Sequence, residues 1–174
     1  LDEEASIARA IRSCREAGPC EVIVVDGGSR DRTVEIARGR ADAVIAATRG
    51  RAAQMNAGAV VARGEVLLFL HADTLLPAGS VPAVLGALQD PAVIGGAFRV
   101  RLAASPGASR YVRATLGITG RMIGARGAVS RSYSGDQAIF LRAETFRAVG
   151  GYPEIPLMED VELSRRMRRA GKTV

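Results

Sequence analysis

The sequence predicts an α/β domain with a mainly parallel sheet flanked by helices, and three observations carry that expectation. Short β-branched runs alternate with amphipathic stretches of about ten to fifteen residues, the pattern of right-handed βαβ units. Two of the apolar runs end in carboxylates, Asp26 in EVIVVD and Asp73 in EVLLFLHAD, so both acids point toward the rim where such sheets bind ligands. A length of 174 residues, 48% hydrophobic and 24% charged, suits one soluble domain with a sizeable core.

The elements follow in order. DEEASIARAIRSCREAG opens with acids in its first turn, carries Ile7, Ile11 and Cys14 on one face, and stops at Gly18-Pro19, which reads as a helix. EVIVVDGGS is a buried strand feeding a glycine loop. RDRTVEIARG is a second helix, capped by Ser29 or Asp31. ADAVIAA is a short strand, and GRAAQMNAGAVVARG a third helix bounded by Gly50 and Gly64. EVLLFL is the next strand, residues 80–89 a helix, and VIGGAFRVRL a further strand. A helix is expected around residues 108–124, followed by a basic Gly/Ser-containing loop. Arg101, Arg110, Arg113, Arg121, Arg126 and Arg131 in this region are unbalanced by acids, as on a solvated surface or on a lid that meets an anionic or lipid-linked substrate. After it come a strand, AIFLR, a short helix, AETFRAVGG, and a final helix, EDVELSRRMRRAG. Leu163, Met167 and Ala170 form the apolar stripe of that helix, and Gly171 lies past its end. GKTV reads as the opening of a strand. Because Leu1 already stands at a helix start, a piece clipped at both ends is expected.

Composition narrows the function classes. Aromatics make up 4%, with no Trp, which argues against a nucleic-acid stacking platform. The net charge of +6 suits an anionic partner such as a phosphate, a phospholipid surface or nucleic acid, but no nucleic-acid motif supports the last. No apolar stretch approaches the roughly 20 residues of a transmembrane helix, and no signal peptide is visible. Cys14 and Cys20 read as reduced thiols, which places the protein in the cytoplasm.

Four stretches could carry chemistry. Asp73, just past a buried strand, is placed to hold Mg²⁺ or Mn²⁺, with His71 completing the site or touching a sugar; alternatively the acid only closes a turn. Asp26-Gly27-Gly28-Ser29 lets the backbone approach a ligand, or simply turns the chain into its helix. Arg51, Gln54 and Asn56 at the head of a helix suit a diphosphate, although exposure is the common fate of an arginine. Glu159 and Asp160 open the last helix either as ordinary first-turn acids or with one as a general base; Asp136 and Gln137, before a strand, could line the same pocket or form a turn.

The order of these motifs is more specific than any one of them. LDEE, VIVVDGGSRDRT, GRAAQMNAGA, GEVLLFLHADT, and Gly150-Gly151 before YPEIPLMEDVELSRRMRRAG together resemble glycosyltransferase family 2 across nearly the whole chain. Among its branches, the chain most resembles a bacterial one, grouped with arsenosugar-type biosynthesis, that carries HADT and GDQ. The resemblance implies a GT-A fold, Rossmann-like, with residues 1–100 as the nucleotide-binding portion of a single domain and residues 101–174 as the acceptor-binding portion. It implies a hexosyl transfer from a nucleotide-sugar donor to an acceptor hydroxyl, with inversion and with Mn²⁺ or Mg²⁺. The resemblance places Glu3, Asp26 and Asp73 on the nucleotide, Asp73 also on the metal, and Asp160 as the general base; Arg51 and His71 are read onto the nucleotide beside them from their own positions. Asp136, Gln137 and Glu159 fall on the acceptor side. The acceptor itself is left open among small molecules, glycans and lipid-linked groups, the last with contact at the inner face of the membrane.

Three departures accompany the resemblance. The usual Asp-Asp-Gly-Ser is Asp26-Gly27-Gly28-Ser29, the first Asp of DxD is His71, and the family's first strand should precede Leu1. A chain lacking that strand is expected to be weakly active. Two other functions share the motifs, a sugar-phosphate nucleotidyltransferase and a non-catalytic nucleotide-sugar-binding module.

Overall fold

The structure, a computed structural model, describes residues 1–102, 107, 109–111, 115, 119 and 133–174. The helix expected around 108–124 and the basic loop after it fall for the most part outside the described residues. Helix α1 (Ile7–Ala17) leads to strand β1 (Ile23–Asp26), α2 (Thr33–Arg38) and β2 (Ala43–Ala46). Helix α3 (Arg51–Val61), β3 (Val66–Leu68), α4 (Ser80–Ala87) and β4 (Val93–Gly96) continue the alternation. A short 3₁₀ turn (Gly135–Gln137) then precedes β5 (Phe140–Arg142), α5 (Ala143–Ala148), α6 (Glu159–Ala170) and β6 (Lys172–Thr173).

Helix α1 buries Ile7 and Ile11 as expected, but it starts at Ile7, later than its acids. The acids are held in an extended lacing against residues 29–33. The Asp2 amide donates to Ser29 Oγ at 3.1 Å, the Glu3 amide to Thr33 Oγ1 at 2.7 Å, and the Glu4 amide to Asp31 at 2.9 Å. In return Asp2 and Glu4 accept from the Arg30 and Arg32 amides at 2.7 and 3.1 Å. The Glu3 carbonyl accepts from the Ser6 and Ile7 amides at 3.0 and 2.9 Å, so a turn leads from this lacing into the helix. The N-cap of α2 is Arg32, which makes no side-chain cap bond, in place of the expected Ser29 or Asp31; Asp31, one position earlier, takes the Thr33 amide at 2.9 Å in an Asx-type turn.

Two sheets form. β1 and β2 pair in parallel, Ile23 opposite Ala43 through Asp26 opposite Ala46. The second sheet has the order β3-β5-β4-β6. β4 and β6 are parallel, while β5 runs antiparallel to both β3 and β4. Three strands of this sheet therefore share one direction, and β5 alone opposes them. The connection from β3 carries α4 and sets β4 one strand-width away; β5 arrives later and enters that slot from the opposite end.

The core lies between this sheet and the helices that follow it. Leu163 and Met167 of α6 are fully buried and pack in one cluster with Leu67, Ile139, Leu141 and Phe146. Each such side chain contributes about 1.5–3 kcal/mol by leaving water. Ala170, expected in the same stripe, is exposed, and Ser164 takes a buried place instead. Phe69, Phe146 and Tyr152 form an aromatic trio, with the Phe69 and Tyr152 rings edge to face at 5.0 Å.

Gly95 marks the tightest approach inside the sheet. A Cβ there would lie 2.4 Å from the Phe140 carbonyl oxygen and 2.6 Å from Leu141 Cβ, so no side chain fits between β4 and β5. Gly95→Ala is expected to destabilise the fold by about 1–3 kcal/mol. The check is a lower urea midpoint at unchanged slope.

Candidate functional site

The antiparallel course of β5 decides which residues meet at the rim. Because Leu68 pairs with Phe140, the chain leaving β3 runs past the chain entering β5. His71-Ala72-Asp73 is therefore brought to Ser134-Gly135-Asp136-Gln137. His71 Nδ1 lies 3.2 Å from Asp136 Oδ1. The imidazole rests on Gly135 so closely that a Cβ there would come within 2.5 Å of Cε1 and Nε2. Nε2 is buried without a hydrogen-bond partner.

Asp160 joins this group through the backbone. Its Oδ2 accepts from the Gly135 amide at 2.6 Å, and its Oδ1 from the Val161 amide at 2.7 Å. Both bonds involve a charged acceptor, which makes them strong and directional. Met158 has a left-handed backbone, φ 68°, at a cost of about 1–2 kcal/mol, and turns the chain so that Glu159 and Asp160 open α6.

The preceding turn is built on two glycines. Gly150 and Gly151 have φ of 81° and 64°, and a Cβ on Gly151 would lie 2.8 Å from Asn56 Oδ1. That Asn56 amide clasps Tyr152 from both sides, its Nδ2 donating to the carbonyl and its Oδ1 accepting from the amide, each at 2.9 Å. The Tyr152 hydroxyl is buried without a partner. Burial pushes its phenol well above the usual tyrosine range, and the Asp160 and Glu159 carboxylates add to the shift.

Helix α3 links this side to the end of β1. Gln54 Nε2 donates to the Val25 carbonyl at 2.9 Å and fills the space over Gly27, where a Cβ would sit 2.8 Å from Gln54 Oε1. At the head of the same helix Arg51, two-thirds exposed, lies 3.8 Å from the buried Glu159 carboxylate. Of the three polar groups expected to meet a diphosphate there, Gln54 and Asn56 are thus committed to backbone, and Arg51 alone keeps an exposed charge.

The remaining candidates are distributed as follows. Asp26 ends β1 and is occupied by its own turn: the Gly28 amide at 2.8 Å, the Ser29 amide at 3.0 Å and the Ser29 hydroxyl all donate to it. Burial pushes this carboxyl up, and those hydrogen bonds outweigh the burial and hold it below the usual range. Glu3 accepts from the Ser6 hydroxyl beside the head of α2. Asp73, expected at a strand end, instead lies exposed in a turn five residues past β3, with a contact from Thr74 Oγ1 at 3.3 Å. Of the residues expected on the acceptor side, Asp136 is exposed, whereas Gln137 and Glu159 are buried.

Gln137 is not available to an acceptor. Its Oε1 takes the Ser134 amide at 2.9 Å, its Nε2 donates to the Phe98 carbonyl at 3.3 Å, and together with Ser134 it closes a capping box. The spacing Ser-x-x-Gln carries that signal in the sequence. Gly135, whose amide reaches Asp160, has no such signature, and Asn56 meets Tyr152 across 96 positions of sequence.

Among the described residues no group of three His, Cys, Asp or Glu could hold a metal alone. No described helix is long and apolar enough to cross a membrane. Cys14 and Cys20 are both free thiols, and burial together with the neighbouring Cys20 pushes Cys14 up to about 11.

Comparison with known proteins gives this geometry its context. Residues 1–143 match the model of the family described as Glycosyl transferase family 2. The chain belongs to that family. A curated relative, an undecaprenyl-phosphate 4-deoxy-4-formamido-L-arabinose transferase of Pseudomonas paraeruginosa, is 33% identical over 97 residues, 48% of this chain and 29% of its own length. Among solved structures, the mannosyltransferase PcManGT of Pyrobaculum calidifontis, in complex with GDP-Man and Mn²⁺, superposes with a TM-score of 0.70 at 20% identity, covering 98% of this chain and 50% of that one. TarS 1–349 of S. aureus gives 0.70 at 17% identity, covering 96% and 52%; its complex with UDP gives 0.67 at 15%. At these identities the structural likeness establishes the fold, which is GT-A. The chain spans less than a third of the curated relative and about half of each solved chain.

Two measurements test how this family member holds its site. Asn56→Ala leaves the Tyr152 peptide without its two bonds and is expected to cost about 1–3 kcal/mol in a denaturant titration. Asp26 has a lowered folded pKa, so its contribution is present above about pH 4, the ordinary aspartate value, and is lost as pH falls through the folded value. Asp26→Asn should flatten the loss of stability below about pH 4. An unchanged acid limb would contradict the assignment.

Proposed function

We propose that the protein is a nucleotide-sugar-dependent glycosyltransferase of hexosyl type, transferring its sugar to an acceptor hydroxyl with inversion and with Asp160 as general base. The observation that carries this reading is the mooring of Asp160, a carboxylate fixed at the head of α6 by the Gly135 and Val161 amides. A base held this way faces an incoming hydroxyl in one orientation. It takes the proton as the oxygen attacks the anomeric carbon from the side opposite the leaving diphosphate.

Residues 1–100 form the donor half and 101–174 the acceptor half in this reading. Glu3 and Asp26 stand on the base and ribose side. Arg51 leaves Glu159 for the diphosphate, aided by the positive end of the α3 dipole. Asp73 fits a hard divalent cation in the mode that uses one carboxylate together with substrate phosphates and water, since it is exposed and lightly engaged. Mn²⁺ or Mg²⁺ bound there would offset the negative charge that develops on the leaving diphosphate. The neighbour solved with GDP-Man and Mn²⁺ supports that choice of cofactor and donor class. The relative named for undecaprenyl phosphate supports a lipid-linked acceptor, with the protein at the inner face of the membrane. Asp136 is the acceptor-side group that remains exposed.

Asp160→Asn is expected to lower turnover by about 10²–10⁴-fold while nucleotide binding persists. Asp73→Ala should abolish the Mn²⁺-dependent part of the thermal stabilisation given by UDP or GDP. Wild-type turnover in Asp160→Asn would remove the base assignment.

A further inference from the structure

We propose that His71 is a positioning residue for Asp160, acting through Gly135. The imidazole is gripped on two sides by consecutive residues. Asp136 lies 3.2 Å from Nδ1, and the Gly135 backbone lies under Cε1 and Nε2, where a Cβ would come within 2.5 Å. The Gly135 peptide pinned by this grip is the one whose N–H donates to Asp160 Oδ2 at 2.6 Å. Gln137 secures the same turn from its other end, through Ser134 and the Phe98 carbonyl. The turn is thus held internally by Gln137 and against β3 by His71, and Asp160 receives its amide from the middle of the held segment.

This assigns His71 a job different from contact with a ribose. Nδ1 faces the Asp136 carboxylate, and Nε2 is buried with no hydrogen-bond partner among the described residues. Both nitrogens are turned to the acceptor-side turn. The end of β3 then orients the base through His71 and offers Asp73 on the donor side two residues later.

The role rests on Asp160 being the general base, but the geometry can be read without turnover. His71 is the chain's one histidine, so ¹⁵N-histidine labelling reports on it alone. Long-range ¹H–¹⁵N spectra of its ring nitrogens are expected to change in Asp136→Asn, as the contact at Nδ1 is altered. The Gly135 amide proton is expected far downfield, as for a short bond to a carboxylate. His71→Ala should move it upfield. His71→Asn, whose amide nitrogen can stand in for Nδ1, should keep it downfield.

GDP-mannose and UDP-glucose with Mn²⁺ serve as turnover probes, and GDP and UDP as binding probes. His71→Ala should lower kcat about 10- to 100-fold at unchanged nucleotide affinity, as expected when a catalytic group is displaced by a fraction of an ångström to an ångström. His71→Asn should recover most of it. Gly135→Ala adds the clashing Cβ directly, and its damage should be smaller in a His71→Ala background than alone. A Gly135 amide that does not move in His71→Ala overturns the proposal, whether or not nucleotide binding also weakens. Absence of turnover in wild type with either sugar nucleotide would count against the proposed function and leave the Gly135 amide measurement to decide the positioning role.

Discussion

The antiparallel pairing of β5 with β3 is the constraint on which the site depends. A strand parallel to β3 would carry its carboxyl end to the rim, and its entry loop to the opposite edge. Reversed, β5 brings its entry loop to the point where β3 releases the chain, and the register of Leu68 against Phe140 sets His71 beside Gly135 and Asp136. The bond from the Gly135 amide to Asp160 then extends the contact to α6. One pairing therefore gathers three segments into one polar cluster, the first of them more than sixty positions from the second and the third twenty-five beyond that.

Around that pairing, helix α3 does the work of a tie-bar. Its Gln54 reaches the end of β1 and its Asn56 reaches the turn before α6, so the two ends of the rim are fastened to one rigid element. The attachments are hydrogen bonds to backbone, which fix position more sharply than apolar packing does. Packing supplies the strength beneath them: Leu163 and Met167, fully buried, hold α6 against β5, and the aromatic trio fills the space under the Gly150-Gly151 turn. The glycines at 27, 135 and 151 share one function in this arrangement. Each leaves room for a polar side chain from another segment, respectively Gln54, His71 and Asn56.

Much of this was legible from the sequence, and the remainder was not for identifiable reasons. The alternation of elements, the strand end at Asp26, and the α6 start at Glu159-Asp160 all rest on periodicity and local composition, which act over a few residues. Those expectations match the structure. The direction of β5 could not be read, because AIFLR has the same apolar pattern whichever way it runs. Gln54 and Asn56 carried polarity but no indication of a partner, since their acceptors lie 29 and 96 positions away. Gln137 was the exception: Ser134-x-x-Gln137 is a local capping pattern, and it fixes that amide inside the turn. Ala170 shows the limit of a helical stripe, which continues in sequence after the helix has left the core.

Asp26 and Asp160 illustrate how differently two rim carboxylates can be held. Asp26 is satisfied by Gly28 and Ser29 within its own turn, so its environment forms with the local chain and survives loosening of distant contacts. Asp160 takes one bond from its own helix and the other from Gly135, twenty-five positions away, and the Gly135 turn is in turn held against β3. Its orientation exists only while β3, β5 and α6 are docked together. A local opening that separates α6 from the sheet would release Asp160 while leaving β1, β2 and the Asp26 turn intact. In such a molecule the orientation of Asp160 is lost before the fold is, and substitutions beneath α6 act on this carboxylate at smaller perturbations than those needed to unfold the chain.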